Sequence, residues 1–474
     1  MHPLQIRSST IELEDSSQSF IDAEFLISGR KPRDINALSG RLAEQFIRFN
    51  LQNFQRLNLV SDITQRNNQV LIKLKTQNFI GAIPLFSPTT YAYDYSLIIK
   101  PRFGWAGMGS LLSEMGWKVL PEMLKLPQLP HSEKKIPPWV LSSVILFRIR
   151  NLLREIHKNF QFQTQETSVP KGKILWNQYI EKNVVRGNWL SIPCRFPELS
   201  EDEKLKGNIH YILLQHLHSL QSQLGAGIFL HRLIEECKLL LTYVRDTQAS
   251  LHNEYYKKFM RNVFTKSKNI EEGIEAIDWT VQQKGLAGLG ETSGLPWILN
   301  MESFFEAWIE SIAEAICLKT GYRLKSGRKR ETITSIKWEP SYRGSQKFLL
   351  PDVVLRKENK VIIIDAKYKE HWIELNQKSW NSIDKEIQER HREDLLQVLA
   401  YSSLQSSEEL TCILIYPCEY AFYKSLKEKE EHYIKAEIYA EYRKIQIYLL
   451  AAPLSMGIGE ISKDVVEIIK KETQ

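Results

Sequence analysis

The alternation of apolar and polar positions changes character along the chain, and each change marks an expected element. QVLIKLKT (69–76) alternates with a period of two, as a half-buried strand does, and FIGAIPLF (79–86) and YSLIIKPRF (95–103) are apolar runs that follow turn-forming residues. Residues 1–125 therefore read as a mostly β N-terminal domain. LPQLPHSEKKIPPW (126–139), with prolines spaced among charges, reads as a linker. In VLSSVILFRIRNLLREIHKNF (140–160) apolar residues recur at helical spacing with basic residues between them. The same spacing from Lys204 to Leu241 predicts two helices broken near Gly225 and Gly227, so 140–285 reads as a helical middle domain.

The pattern changes again after the glycine-rich GLAGLGETSGLPW (285–297). A long apolar helix over 302–319 gives way to a basic loop, then to β-branched strands around 332–338, 348–355 and 360–366. A charged helix pair over 375–405 and strands at 411–416 and 443–451 follow. This order predicts a mixed sheet flanked by helices over 298–455. The fold class expected for the whole chain is multidomain α/β (α+β).

Composition changes the picture only by exclusion. With 474 residues, 43% apolar and 25% charged, the chain can build several cores and is not a disordered polymer. A net charge of +7 permits a nucleic-acid partner without requiring one. The five cysteines (Cys194, Cys237, Cys317, Cys412, Cys418) form no CxxC pair and are odd in number, which speaks for reduced thiols against a disulfide framework or a zinc site. MHPLQIRSSTIELEDSS lacks the basic-then-apolar pattern of a signal peptide, and no apolar run approaches the roughly 20 residues that cross a bilayer. The expected location is the cytoplasm, away from membranes.

The chemistry concentrates in LLPDVVLRKENKVIIIDAKYK (349–369). Asp352 starts one apolar strand, Asp365 lies near the end of the next, and the short polar turn RKENK joins them. A hairpin of this length brings the start of its first strand beside the end of its second, so the two carboxylates face each other. Lys367, two residues beyond Asp365, points to the same side because strand side chains alternate. Two hard oxygen donors suit a hydrated divalent cation, and an ammonium beside them suits a phosphate or the water that attacks it.

PD (351–352) followed by DAK (365–367) at the end of an apolar strand resembles the PD-(D/E)xK nuclease signature. Two further pieces agree. Glu306, in SFFEAWIESI, lies on the apolar helix before the strands, and Gln397 and Tyr401, in DLLQVLAYSS, look like the Q-xxx-Y element of RecB-like members, on one helix face at i, i+4. The order FE, PD, DAKY, DLLQVLAY most resembles the McrC-type subunit of McrBC-like restriction systems. More loosely, SLIIKPRFGWAGMGSLLSEM (96–115) and 169–213 look like upstream segments of that family, with Arg102 standing where a lysine is expected.

The resemblance implies a restriction-endonuclease-like fold for the C-terminal domain. It also implies a metal-dependent endonuclease subunit of an anti-phage system that cuts double-stranded DNA with Mg2+, or equally Mn2+. Asp352, Asp365 and Glu306 would hold the metal, and Lys367, Gln397 and Tyr401 would complete the catalytic site. It further implies a hetero-oligomer with a separate McrB-like AAA+ GTPase, docked through the N-terminal β region and the helical middle. No G-xxxx-GK-[ST] phosphate loop occurs in the chain, and GLAGLGETSG lacks its lysine, so the motor would be a separate protein. Two other functions fit parts of the pattern: a RecB-like repair nuclease, suggested by Gln397 and Tyr401, and a catalytically silent scaffold that stimulates a partner NTPase. The intact Asp352, Asp365 and Lys367 speak against the second.

Other features are open to both functional and structural explanations. Lys325, Arg328, Lys329 and Arg330 form a basic loop that could contact DNA phosphates or simply be solvated. His210, His216, His218 and His231 lack companions at metal spacing and are expected on helix surfaces. Trp105, Trp117, Trp176 and Trp189 are expected to pack in a core or a partner interface.

Overall fold

The computed structural model describes residues 10–27, 34–103, 108–124, 126–127, 138–155, 159–200, 203–223, 229–251, 267–281, 295–340, 344–369, 385–407, 409–440 and 443–471. The chain divides into two compact units, one of residues 1–135, 227–229 and 293–474, the other of 136–226 and 230–292. The stretches expected as first and third domains thus share one unit.

In the first unit, strands β1 (Thr10–Glu14), β2 (Gln18–Asp22), β3 (Val60–Arg66), β4 (Gln69–Lys75), β5 (Phe79–Leu85), β6 (Tyr95–Lys100) and β7 (Glu122–Met123) come from the N-terminal stretch. β8 (Trp297–Asn300) arrives from beyond the middle region and inserts between β5 and β7, giving a sheet of order β1-β6-β5-β8-β7. Trp297 pairs with Ala82, and Gly81 is what allows it, since a Cβ there would lie 2.2 Å from the Trp297 carbonyl oxygen. β2, β4 and β3 form a second, three-stranded antiparallel sheet.

The mostly β expectation for this stretch misses α1 (Ile35–Arg56), which Asp34 caps by accepting from the Ala37 amide at 3.0 Å. Its inner face carries Asn50 and Asn53 beside Phe46 and Phe54. The two amides bond to the Phe86 and Pro84 carbonyls at 2.9 and 3.1 Å. A helix that buries asparagine shows a weaker apolar stripe than its burial warrants. A short helix, α2 (Met108–Glu114), follows β6.

β8 runs directly into α3 (Met301–Thr320), capped by Asn300 Oδ1 accepting from the Ser303 amide at 3.0 Å and ended by Gly321 at φ 75°. Phe304, Phe305, Trp308 and Ile312 are fully buried, each worth roughly 1.5–3 kcal/mol of apolar transfer. α3 lies against a six-stranded mixed sheet of β9 (Arg323–Ser326), β10 (Val353–Lys357), β11 (Lys360–Ala366), β12 (Glu409–Cys418), β13 (Tyr433–Ala440) and β14 (Arg443–Pro453), in the order β9-β10-β11-β12-β14-β13. β11–β12 and β12–β14 are parallel and the other pairs antiparallel. Helices α4 (Lys385–Ser403), α5 (Tyr420–Glu428) and α6 (Ile458–Lys471) complete the unit, α6 packing on α3. Residues 375–384 of the expected helix pair lie outside the described residues, as do most of the proline-rich and glycine-rich stretches.

The second unit holds helices at Pro138–Glu155, Glu203–Ser222, Phe229–Thr242 and Lys268–Val281. It also holds an antiparallel sheet of Asn159–Thr167, Ile192–Ser200 and Lys173–Ile174 that the helical reading of this stretch omits. No helix among the described residues is long and apolar enough to cross a membrane.

Candidate active site

The β10–β11 hairpin pairs Val353 with Ile364, so the next position along the same register sets Asp352 opposite Asp365. The Ala366 amide donates to Asp352 Oδ2 at 2.8 Å, fixing the first carboxylate against the backbone beside the second. Asp352 is held from behind as well. The Gly327 amide donates to its carbonyl at 2.7 Å, and Thr332 Oγ1 donates to the Pro351 carbonyl at 2.6 Å. A side chain at Gly327 would place a Cβ 2.5 Å from the Pro351 oxygen, so this close approach requires glycine.

β11 is a central strand with Val361 to Ile364 buried, and it carries Asp365 into the interior at 1% exposure. Past its end, the Lys367 amide still bonds the Ile415 carbonyl at 2.9 Å, and its Nζ stands 2.5 Å from Asp365 Oδ2. The same ammonium donates to Gln397 Oε1 at 2.7 Å, and Gln397 Nε2 donates to the Tyr401 hydroxyl at 2.7 Å. The i, i+4 pair on α4 therefore reaches the hairpin, with Gln397 exposed and Tyr401 buried.

One neighbour went unnoticed in the sequence. Asp394, 2% exposed, accepts from Lys369 Nζ at 2.7 Å and from the Tyr416 hydroxyl at 3.2 Å, and lies 3.9 Å from Lys367 Nζ. It opens the DLLQVLAY segment one turn before Gln397, on the same helix face, and that spacing was the available signal.

Of the four glutamates on α3, Glu302 is exposed, Glu306 and Glu314 are half-buried and Glu310 is buried. Burial raises the Glu306 carboxyl above its ordinary range, and the charges of Glu302 and Asp365 add to the shift while Arg328 and Lys367 oppose it. Asp352 is raised well above the usual carboxylate range by burial and by the charges of Asp365 and Glu306. Asp365 is raised as well, burial outweighing the pull of Lys367. Burial works against the Lys367 charge, but Asp365, Asp394 and Asp352 outweigh it and leave the ammonium harder to deprotonate than usual. The cluster is therefore a knot of mutually repelling carboxylates around the firmly charged Lys367.

The donor set fits a hard divalent cation. Among the described residues no three His, Cys, Asp or Glu side chains form a ready metal-holding cage. Magnesium needs no such cage: it commonly takes one or two protein carboxylates and fills the rest of its shell with water and phosphate. Asp352 and Asp365 could be that pair.

The basic loop is partly committed elsewhere. Arg328 Nη1 lies 3.6 Å from Glu310 Oε2, and Lys329 Nζ lies 3.3 Å from Glu310 Oε1 and 3.7 Å from Glu314 Oε1. Lys325 and Arg330 are exposed. Among the histidines, His218 and His231 are exposed and His210 is half-buried, but His216 is not a surface residue. It is fully buried, with Nδ1 3.2 Å from Ser142 Oγ and Nε2 2.9 Å from Thr280 Oγ1, and burial lowers its pKa to about 4. Trp176 and Trp189 are 59% and 63% exposed and so are not core residues, Trp117 is half-buried, and Trp105 lies outside the described residues.

A family described as the McrBC 5-methylcytosine restriction system component matches residues 74–417. No curated protein matches the chain. Among solved structures, the chain is similar at 16% identity and a TM-score of 0.41 to a chain of a refined half-complex from a tetradecameric assembly of Thermococcus gammatolerans McrB AAA+ hexamers with bound McrC, covering 97% of this chain and 100% of that one. A second likeness, to the cryo-EM structure of the Thermococcus gammatolerans McrBC complex, has 15% identity, a TM-score of 0.26 and covers 65% of this chain and 88% of that one.

Proposed function

The chain belongs to the McrBC family of restriction-system components, and from that premise we propose that it is the McrC-type nuclease subunit, a metal-dependent endonuclease that hydrolyses phosphodiester bonds of double-stranded DNA in the cytoplasm. The observation that carries this is the placement of Lys367 Nζ 2.5 Å from Asp365, on a hairpin whose register sets Asp352 opposite Asp365.

Asp352 and Asp365 would hold a magnesium or manganese ion. When bound, such an ion supplies Lewis acidity toward the phosphate and lowers the pKa of a water. The side chains supply the rest. Lys367, kept charged by its carboxylate neighbours, offers positive charge to the developing negative charge on the phosphate, and it needs no reorganisation because Asp365 and Gln397 already orient it. Glu306, half-buried with its affinity for a proton raised, would accept one from the attacking water. Lys325, at the end of β9, and Arg330, on the loop that follows it, are exposed cations that would meet backbone phosphates.

No phosphate-loop motif occurs in the sequence, so a separate AAA+ GTPase would supply translocation and site selection. The proposal is tested by incubating the full chain with that GTPase, nucleotide, Mg2+ and DNA. Cleavage is expected from wild type and is expected to vanish in Asp365→Ala and Lys367→Ala without loss of partner binding. Wild-type cutting by the Asp365→Ala protein would overturn the assignment.

A further inference from the structure

A buried ionic group grips the residue that follows Lys367, and it is built from the opposite end of the chain. Asp15 lies just past β1 at 1% exposure, Arg102 lies just past β6 with its side chain 7% exposed, and Tyr368 is 6% exposed. The Tyr368 hydroxyl donates to Asp15 Oδ2 at 2.9 Å. The Arg102 amide donates to Asp15 Oδ1 at 2.6 Å, its Nε lies 3.5 Å from Asp15 Oδ2, and its Nη2 donates to the Tyr368 carbonyl at 3.4 Å. The guanidinium carbon sits 4.6 Å from the centre of the Tyr368 ring and 5.2 Å from that of Phe103. From α3, the ring of Phe305 approaches Tyr368 at 5.9 Å, and Phe305 is the neighbour of Glu306.

Taking a carboxylate and a guanidinium out of water is a poor way to gain stability, because desolvation offsets most of the attraction. What such a group supplies is geometry. β11 ends at Ala366, and the chain turns sharply after it, the Lys369 amide bonding back to the Lys367 carbonyl at 2.8 Å. A lysine at the frayed end of a strand, on a four-carbon stem, would sweep a wide volume. Holding the next residue by its ring, its hydroxyl and its carbonyl removes that freedom at the backbone.

We infer that Asp15, Arg102 and Tyr368 are positioning residues for the nuclease reaction, fixing the backbone at Lys367 so that its ammonium meets the reacting phosphate. The inference rests on the proposed nuclease function. It also accounts for an arginine at position 102: lysine is a point charge that cannot reach a carboxylate and a carbonyl with one planar fork while lying on an aromatic ring. The N-terminal sheet thereby becomes part of the catalytic apparatus.

The test uses the full chain with its GTPase partner, enzyme in excess over labelled DNA, and single-turnover kinetics. Under these conditions the rate constant reports the bound complex, whereas a smaller folded fraction lowers only amplitude. Tyr368→Phe, which keeps the ring, and Arg102→Lys, which keeps the charge, are each expected to slow cleavage about tenfold to a hundredfold with DNA affinity unchanged, the scale of a misplacement near 1 Å. Rate constants within about twofold of wild type, or a loss confined to amplitude or DNA affinity, overturn the inference. Lys367→Ala is run beside them. If it cuts normally, the nuclease function itself fails; if it is inactive while both conservative variants cut normally, only the positioning role fails.

Discussion

Lys367 Nζ donates a 2.7 Å hydrogen bond to Gln397 Oε1 and so ties the end of the β10–β11 hairpin to α4. An ammonium has only donors, so the amide must present its oxygen to Lys367, and its nitrogen must find an acceptor, which it does at the Tyr401 oxygen. The amide thus shares the lysine with Asp365 and limits how fully the acid can claim it.

Removing that neutral partner leaves Lys367 to its carboxylate neighbours, Asp365 at 2.5 Å and Asp394 at 3.9 Å. Gln397→Ala is expected to lower the single-turnover cleavage rate by about tenfold, short of the complete loss in Lys367→Ala, because charge is kept while orientation is lost. A rate equal to that of Lys367→Ala would mean that Gln397 itself touches the reacting groups.

The carboxylate pair is destabilising for the metal-free fold. Both aspartates bind protons more tightly in the folded chain than in the unfolded one, so without a cation the cost of their charge grows as pH rises through the carboxylate range. Asp352→Asn keeps an acceptor for the Ala366 amide and removes one charge. It is expected to raise metal-free stability at neutral pH by about 1 kcal/mol while abolishing cleavage. Mg2+ or Mn2+ should raise the melting temperature of wild type and leave that of the variant unchanged, and chelation should stop cleavage. Equal thermal shifts in both proteins would place the ion elsewhere.

The buried imidazole of His216 sets a pH limit for the second unit. Its folded pKa of about 4 lies below its ordinary 6.5, so the unfolded chain takes up the proton first. Its contribution is complete above pH 6.5 and declines as pH falls toward 4, by up to about 1.4 kcal/mol per pH unit. Chemical denaturation between pH 7.5 and 4 should show this slope in wild type and lack it in His216→Gln. An identical slope in the variant would assign the acid sensitivity to other groups.

What could be read from the sequence was local. α3 is visible because apolar residues recur at helical spacing from Phe304 to Ile316 between Glu306, Glu310 and Glu314, and the hairpin because RKENK separates two β-branched runs. α1 was hidden by the asparagines on its inner face. His216 was misplaced on the surface although Ile212 and Leu213, one turn earlier, already marked its face as buried. A histidine reads as polar until its hydroxyl partners are known, and Ser142 and Thr280 come from other helices.

By itself the sequence determined that Asp352, Asp365 and Lys367 share one end of one hairpin, since strand alternation and a short turn act over a few residues and leave little freedom. Only the tertiary structure decided what surrounds them. Gln397 lies 30 residues from Lys367, Arg102 lies 266 from Tyr368, and Asp15 lies 353 from Tyr368. β8 joins the first sheet from beyond the whole middle region. Contacts across such separations depend on which buried faces pack together, and no short-range periodicity encodes that choice.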